Sequence, residues 1–228
     1  MGLKRKLGNF WEPQIVKAGF EEDLEKRKNH IALLKADGTE CIVERNGEGL
    51  TLYGRRGLEY TLTLPDVVAS FQKIKAYYRI IGELCYIDDK GHMVFTGSQK
   101  RCQISNPKKV EEYSKAYPLI LFVFDIVNLN GENLENIPFY QRRQILTHFI
   151  GLQKALNYHE LDNIRLMPMK PSNMTNREFY QSVVGKGYEG VVLYNLLGTY
   201  QSGKETDDIL KIKCRDHSIY ILSNDGVI

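Results

Sequence analysis

Alternating apolar and polar positions, rich in β-branched and aromatic residues, recur along most of the chain and predict a strand-rich domain. The alternation predicts strands at 31–36, 41–45, 50–54, 79–87, 92–96, 119–129, 164–167, 189–195, 208–213 and 218–222. Helical spacing of apolar residues predicts helices at about 66–75, 108–116, 139–156 and 175–185. Thr175, with Glu178 three residues later, has the arrangement of a capping box at the start of the last helix. Because single helices interrupt pairs of strands irregularly, we expect an α+β fold with antiparallel sheets and packed helices.

Composition indicates one large globular domain. The chain has 228 residues, of which 43% are apolar and 26% are charged, enough to bury a sizeable core. We expect this domain to span 1–213, with 214–228 as a linker or as the first strand of an OB-fold domain that the chain lacks. The longest apolar run, 119–124, is far shorter than the roughly 20 residues of a membrane helix, so no membrane contact is predicted.

The four cysteines and five histidines are dispersed, which favours neither a zinc site nor a disulfide framework. No apolar segment of a signal peptide follows the basic start of the chain. We therefore expect an intracellular, reducing location, cytoplasmic or nucleoid-associated. The formal charge of +3 is weakly basic, and several short basic clusters either form solvated surface or contribute to a nucleic-acid interface. These clusters are Lys4–Lys6, Lys26–Lys28, Lys100–Arg101, Lys108–Lys109 and Arg142–Arg143.

The strongest local signal for chemistry is the segment 35–38, KADG, directly after the apolar strand that begins at Ile31. A lysine at the end of a buried strand is costly, because its ammonium must be paired or lose a proton. A desolvated lysine with a lowered pKa is also what an amine nucleophile requires. The alternative is an ordinary hairpin turn, since Asp37 and Gly38 are typical turn residues.

Five further segments follow in order: 54–57 (GRRG), 81–84 (IGEL), 122–126 (FVFDI), 189–192 (EGVV) and 211–213 (KIK). Together with KADG they resemble the six motifs of the covalent nucleotidyltransferases, the superfamily of DNA ligases, RNA ligases and mRNA capping enzymes. The resemblance covers about 30–213. It is closest to ATP-dependent DNA ligases, because 55–61 before a Pro-Asp helix, 130–134 after the aromatic-Asp motif, and Pro138 before two arginines are similar to theirs.

The resemblance implies the nucleotidyltransferase fold of DNA ligases, which is ATP-grasp-like, and a covalent reaction. Lys35 would attack the α-phosphorus of ATP and carry AMP as a covalent adduct. AMP would then pass to the 5′-phosphate at a nick in double-stranded DNA, which the 3′-hydroxyl seals. We expect a monomer that acts on this substrate.

The resemblance also assigns roles to individual residues. Lys35, Arg55, Lys211 and Lys213 are the expected catalytic residues, the last three through contacts with the triphosphate. Glu83 would accept hydrogen bonds from the ribose and Phe124 would stack on the adenine. The expected nucleotide-binding set is Leu33, Lys35, Arg55, Glu83, Phe124, Glu189, Lys211 and Lys213. The candidate Mg²⁺ ligands are Asp37, Glu83 and Glu189.

Three positions depart from the ligase pattern. Glu40 stands where ligases often have an arginine, Leu33 where an acid frequently reads the adenine amino group, and Tyr194 where the fourth motif usually ends in lysine. The chain also stops before the OB-fold domain and its last motif, which indicates an excised domain or a minimal enzyme.

Three rival classes are open at this stage. One is an RNA ligase or capping-type enzyme, and another is a non-catalytic nucleic-acid-binding module. The third is a P-loop hydrolase, suggested by Gly198, Gly203 and Lys204, although a strand is predicted where that motif needs a helix.

Overall fold

A computed structural model describes residues 5–104, 106–157 and 161–214, which form two β-sheets and six α-helices. The strands are β1 Ile15–Ala18, β2 His30–Leu34, β3 Thr39–Asn46, β4 Gly49–Tyr53, β5 Tyr78–Tyr86, β6 Leu119–Leu129, β7 Glu132–Asn133, β8 Ile164–Leu166, β9 Gly190–Asn195 and β10 Glu205–Lys213. The helices are α1 Asp23–Lys26, α2 Pro65–Lys73, α3 Phe95–Cys102, α4 Val110–Ala116, α5 Phe139–Asn157 and α6 Asn176–Val184, with a 3-10 turn at Pro107–Lys109 before α4.

The strands form a four-stranded sheet and a six-stranded sheet. The first has the order β1-β10-β9-β2, and the second has the order β4-β3-β5-β6-β7 with β8 paired to β6. Most pairs are antiparallel, which confirms the predicted α+β class. Two short strands depart from it, because β1 pairs with β10 and β8 pairs with β6 in parallel.

Side chains that alternate along the strands divide the core in two. One face of the six-stranded sheet packs under α2 and α5, through residues such as Leu121, Val123, Phe71 and Phe149. The opposite face contributes Phe122 to a second core shared with the four-stranded sheet and α6. Because successive strand residues point to opposite faces, the six-stranded sheet directs every second side chain towards the four-stranded sheet.

Helix termini follow their local sequence signals. Thr175 accepts a hydrogen bond from the backbone of Glu178, whose carboxylate bonds back to the Thr175 backbone, so the predicted capping box is confirmed. Pro65 occupies the first turn of α2, where its missing N–H costs nothing. In the described residues, no helix is long and apolar enough to cross a membrane.

The predicted strand at 92–96 is wrong. Met93 forms only an isolated bridge to Ile87, and α3 begins at Phe95. The buried face of this helix consists of Gly97, Ser98, Arg101 and Cys102, which carry little of the apolar periodicity that announces a helix. The short elements β1 and α1 were not predicted, and the strand predicted at 218–222 lies outside the described residues.

Three arginines of the predicted basic clusters are not solvated surface, whereas Lys100, next to one of them, is exposed. Arg101 and Arg142 are 0% and 1% exposed, and Arg143 is also buried. Arg101 donates to Asp66, with 2.5 Å between Nη2 and Oδ1, and Arg142 pairs with Asp125. A buried guanidinium requires such partners, so these arginines hold elements together and cannot contact a nucleic acid.

Candidate active site

The KADG segment carries the chain from one sheet to the other. Its preceding strand, β2, pairs with β9 in the four-stranded sheet, whereas the following strand, β3, pairs with β4 and β5 in the six-stranded sheet. The hairpin-turn alternative is therefore wrong. Gly38 allows the close approach that the crossing needs, since a Cβ at this position would lie 2.3 Å from the carbonyl oxygen of Leu84.

The four-stranded sheet contributes two cross-strand rows to the space between the sheets. In one row, Val192 on the central strand lies opposite both Leu33 and Lys211. In the next row, the Lys35 backbone N–H donates to the carbonyl of Gly190, which is paired with Lys213. Residues two apart on a strand face the same side, so the lysines lie beside an apolar strip.

The six-stranded sheet contributes an acidic and aromatic face. Glu40 on β3 is directly opposite Glu83 on β5, and Glu83 is opposite Phe122 on β6. Phe124 lies two residues further along β6 and packs at the edge of the second core, with its ring 6.3 Å from that of Tyr194. Phe124 is thus partly buried while part of its ring stays accessible.

Between these faces lies a cleft of about 380 Å³. It is lined by nearly all the residues that the motifs single out, together with an aromatic and polar wall from α3. The lining residues from the sequence prediction are Leu33, Lys35, Arg55, Glu83, Phe124, Lys211 and Lys213. A cleft with an apolar strip, convergent cations and two carboxyls has the chemical composition of a nucleotide site.

The Lys35 ammonium forms an ion pair with Glu189, which stands at the start of β9. Glu189 Oε2 accepts from Lys35 Nζ, while Glu189 Oε1 lies 2.5 Å from Lys213 Nζ. The Glu189 side chain is only 13% exposed. Burial raises the pKa of Glu189, but hydrogen bonds from Lys213 and Lys35 outweigh it and leave the pKa below its usual range. Glu189 is therefore an ionised clamp between the two lysines.

The backbone at Gly190 makes this clamp possible. Its φ is +146°, and a Cβ there would lie 2.1 Å from the carbonyl oxygen of Ile212 on the neighbouring strand. Only glycine tolerates that combination. The chain therefore bends sharply into β9 and places Glu189 at the lysine end of the cleft.

The two carboxyls on the opposite wall have raised pKa values. Burial, with Glu40 as the next largest cause, places the pKa of Glu83 well above its ordinary value, against the lowering effect of Lys35. Burial also raises the pKa of Glu40 to about 7, although the charge of Arg55 opposes it. Two facing carboxyls in a partly desolvated cleft resist losing both protons.

Some contributors escaped sequence reasoning. Phe95 and Gln99 line the cleft from α3, and Gln103 lines it directly after the end of that helix. The strand predicted at 92–96 concealed the start of this helix. Tyr194, which replaces the usual lysine of the fourth motif, is buried and stacks on Phe139 with 4.5 Å between ring centroids. Neither Asp37 nor Glu189 is among the lining residues of the cleft, although Glu189 contacts the lining residues Lys35 and Lys213.

The glycine-containing segment that suggested a P-loop does not form a phosphate site. Gly198, Gly203 and Lys204 lie in the connection between β9 and β10, and a strand follows them. A P-loop requires the N-terminus of a helix at that point, so the P-loop alternative is wrong.

Metal-binding side chains are sparse in the same region. Across 5–104, 106–157 and 161–214 there is no group of three or more His, Cys, Asp or Glu side chains that could hold a metal ion. Such a set would be needed for an all-protein cage. A cation held mainly by a ligand's phosphates and by water needs only one or two carboxylates, and the ionised Glu189 suits that role.

Solved structures of DNA ligases have this fold. The mycobacterial DNA ligase D complexed with ATP matches 89% of the chain with a TM-score of 0.68 and 17% identity, over 60% of its own length. The ATP-dependent DNA ligase from bacteriophage T7, in complex with ATP, matches 90% of the chain with a TM-score of 0.61 and 14% identity, over 69% of its length. The two-sheet domain therefore has the nucleotidyltransferase fold of DNA ligases, as predicted.

Sequence relatives agree. A DNA ligase of Nanoarchaeum equitans is 31% identical over 181 residues, 78% of this chain and 31% of the relative. DNA ligase 2 of Methanosarcina acetivorans is 28% identical over 196 residues, 85% of this chain and 34% of the relative. Residues 13–213 match the family described as the ATP dependent DNA ligase domain, and the chain belongs to this family. The chain spans about a third of the length of these relatives.

Proposed function

We propose that this chain is the catalytic domain of an ATP-dependent DNA ligase in which Lys35 becomes covalently adenylated. The observation that supports it best is the position of Lys35. Its amine lies in the cleft, between the apolar strip of one sheet and the two carboxyls of the other. Glu189 contacts this amine and the amine of Lys213, and so holds the two lysines together. Membership of the ATP-dependent ligase family points to the same chemistry.

The first step joins Lys35 to AMP. Lys35 Nζ forms a bond to the α-phosphorus as the bond from that phosphorus to the bridging oxygen of pyrophosphate breaks, and the product is a phosphoramidate. The ammonium must give up a proton before it can attack. Glu189 already accepts a hydrogen bond from it, and its lowered pKa keeps it ionised, so it can orient the amine while the proton passes to solvent.

Cations around Lys35 stabilise the charge that develops on the phosphates. Arg55, Lys211 and Lys213 line the cleft from separate elements. When a triphosphate enters, Lys213 can exchange its contact with Glu189 for phosphate oxygens, which leaves Glu189 to Lys35 alone. Fixed positive charges directed at developing negative charge are among the largest sources of transition-state stabilisation.

The apolar strip accommodates the base. Leu33 and Val192 lie side by side on the four-stranded sheet, and Phe124 faces the same cleft from the other sheet. A flat adenine between an aromatic ring and aliphatic side chains is a favourable contact. Two structural neighbours, mycobacterial ligase D and the T7 enzyme, are described in complex with ATP.

Of the predicted Mg²⁺ ligands, Glu189 fits best because it is ionised and adjoins Lys35. A raised pKa makes Glu83 a poor ligand until a cation lowers it. Asp37 remains a candidate carboxylate. Mg²⁺ held with the triphosphate would neutralise part of the phosphate charge.

DNA is the proposed polynucleotide. After adenylation, the 5′-phosphate at a nick in duplex DNA would attack the phosphorus of the lysyl-AMP as its bond to Lys35 Nζ breaks and frees the amine. The 3′-hydroxyl would then attack the 5′-phosphorus and displace AMP. We infer that residues 1–213 act as the adenylation domain of a monomeric enzyme and work together with an OB-fold domain. The long unmatched portions of the relatives are consistent with further domains.

The test is an intact mass after incubation with ATP and Mg²⁺. We expect one added AMP on the wild type, none on Lys35→Ala, and full labelling of Lys115→Ala, whose lysine forms an exposed pair with Glu111 on α4. Nicked DNA should then discharge the adduct, whereas nicked RNA and single strands should not. An adduct that persists in Lys35→Ala would show that another residue is the nucleophile.

A further inference from the structure

Glu40 has no role in the reaction described so far. It occupies the position where ligases often have an arginine, yet it lines the cleft directly opposite Glu83. Directly opposed residues of an antiparallel pair have Cβ atoms about 5 Å apart, so the two carboxyls face the same ligand. The chain thus replaces a positive group with a second acid at the wall of the site.

One oxygen of the Glu40 carboxyl lacks a hydrogen-bond donor. Oε1 of Glu40 is buried and, within the described part of the chain, has no hydrogen-bond partner. A buried polar atom in that state costs about 1–3 kcal/mol until something satisfies it. A ligand group that donates hydrogen bonds would remove this cost when it binds.

The chemistry of the wall restricts what that ligand group can be. Phosphate oxygens offer only acceptors and negative charge, which two facing carboxyls repel. A metal ion held by protein side chains alone is disfavoured, because no three-ligand group is present among the described residues. Hydroxyl groups remain, since each can donate to a carboxylate and accept from a protonated carboxyl.

The proposed function then locates these hydroxyls. With the α-phosphorus at Lys35 Nζ and the base on the strip of Leu33 and Val192, the sugar lies between the two ends. At Gly38, the chain that follows Lys35 packs closely against the side chain of Glu83. The wall formed by Glu40 and Glu83 therefore adjoins the nucleophile. The vicinal hydroxyls of a ribose are the donors that would reach that wall.

We infer that Glu40, together with Glu83, reads the 2′- and 3′-hydroxyls of the nucleotide and makes this domain selective for ribonucleotides over deoxyribonucleotides. The role of Glu40 is new and rests on the proposed nucleotide site. The four oxygens of the two facing carboxyls can accept hydrogen bonds from both hydroxyls.

The test is equilibrium binding of ATP, 2′-dATP and 3′-dATP by calorimetry in EDTA, which prevents turnover. We expect the wild type to bind ATP roughly tenfold or more tightly than at least one deoxy analogue, because hydrogen bonds to charged groups are the stronger ones. Glu40→Met, similar in size and without an acceptor oxygen, should bring that ratio close to one. Glu48→Met, in the exposed turn before β4, should keep the wild-type ratio.

Several results would overturn the inference. One is equal binding of all three nucleotides by the wild type, which needs no variant. Another is a wild-type ratio in Glu40→Met, or in Glu40→Leu, which also lacks an acceptor oxygen, should the methionine variant not fold. A third is that Glu40→Met instead loses a preference for ATP over ITP, which lacks the base amino group. Glu40 would then read the base and not the sugar.

The intact-mass assay separates this inference from the proposed function. Adenylation of Lys35 without any effect of Glu40 on sugar selectivity overturns only the role of Glu40. Selectivity for the ribose without an AMP adduct supports the role of Glu40 and overturns only the covalent step.

Discussion

Asp125 and Arg142 form a bidentate ion pair beneath the cleft, with 2.9 Å for both Nε–Oδ1 and Nη2–Oδ2. Both side chains are almost fully buried, at 0% and 2% exposed. Arg142 also donates to the carbonyl oxygens of Ile137 and Gly198. Asp125 follows Phe124 in β6, so the pair fixes the strand that presents the proposed adenine-stacking ring. The acid of the aromatic-Asp motif therefore positions the site without contacting it.

Asp125→Ala should destabilise the domain strongly. It leaves a buried guanidinium without its counter-charge, a change that typically costs 3–5 kcal/mol. Urea unfolding measures the loss, and binding of ATP to the remaining folded protein should weaken because Phe124 is displaced. Glu111→Ala, which breaks an exposed pair with Lys115 on α4, should change little. Equal effects of the two variants would contradict the positioning role.

Lys35→Ala should abolish the AMP adduct and leave the fold nearly unchanged. Glu189 keeps its contact with Lys213 at 2.5 Å, so its buried charge still has a partner. We expect the free energy of unfolding to fall by about 1 kcal/mol, the size of one hydrogen bond. Chemical denaturation measures this change.

Glu189→Gln is the matched comparison for Lys35→Ala. It removes the negative charge between two ammonium groups and should both slow adenylation and weaken stability more than Lys35→Ala does. If Lys35→Ala were the less stable of the two variants, holding Lys35 and Lys213 together would not be the main function of Glu189.

The cleft was largely predictable from sequence because its residues belong to short motifs at strand ends. Lys35, Glu83, Phe124, Lys211 and Lys213 stand at the positions that the pattern indicates, and the structure brings them together. Sequence alone could not assign Asp125 or Arg142, because an Arg-Arg pair in a polar helix has the same pattern whether it faces solvent or the core.

Helix α3 escaped prediction for a related reason. Val94, Phe95 and Thr96 are typical strand residues, and the face that packs on β3 and β5 contains glycine, serine and arginine. Arg101 is tolerated there only because Asp66, distant in sequence, pairs with it. Tertiary contacts of this kind override local preference, and single-sequence patterns do not contain them.

The raised pKa of Glu40 predicts a stability that falls as pH rises. A carboxyl whose pKa rises from 4.5 to about 7 on folding contributes stability that is fully present below pH 4.5. That contribution is lost as pH rises through about 7, and it amounts to about 3 kcal/mol at most. The empty domain should therefore be less stable at pH 8 than at pH 5, as measured by urea unfolding at both values.

Glu40→Gln should reduce this pH dependence. The amide does not ionise, so the variant should be more stable than the wild type at pH 8 and similar to it at pH 5. Glu83 has a raised pKa as well, which leaves a residual slope. Glu48→Gln, in the exposed turn, should keep the wild-type profile. A slope unchanged by Glu40→Gln would mean that Glu40 is not the group that titrates.

Gly38→Ala should damage both stability and adenylation, because the added Cβ would lie 2.3 Å from the carbonyl oxygen of Leu84 and 2.9 Å from Sγ of Cys85. Backbone cannot yield there without separating β3 from β5, and overpacking of this kind typically costs 1–3 kcal/mol. The displaced crossing would also carry Lys35 away from Glu189. Gly47→Ala is the control, since a Cβ at Gly47 meets nothing within 4 Å. Urea unfolding and the intact-mass assay together measure the outcome, and normal adenylation by a stable Gly38→Ala protein would show that the crossing does not position the nucleophile.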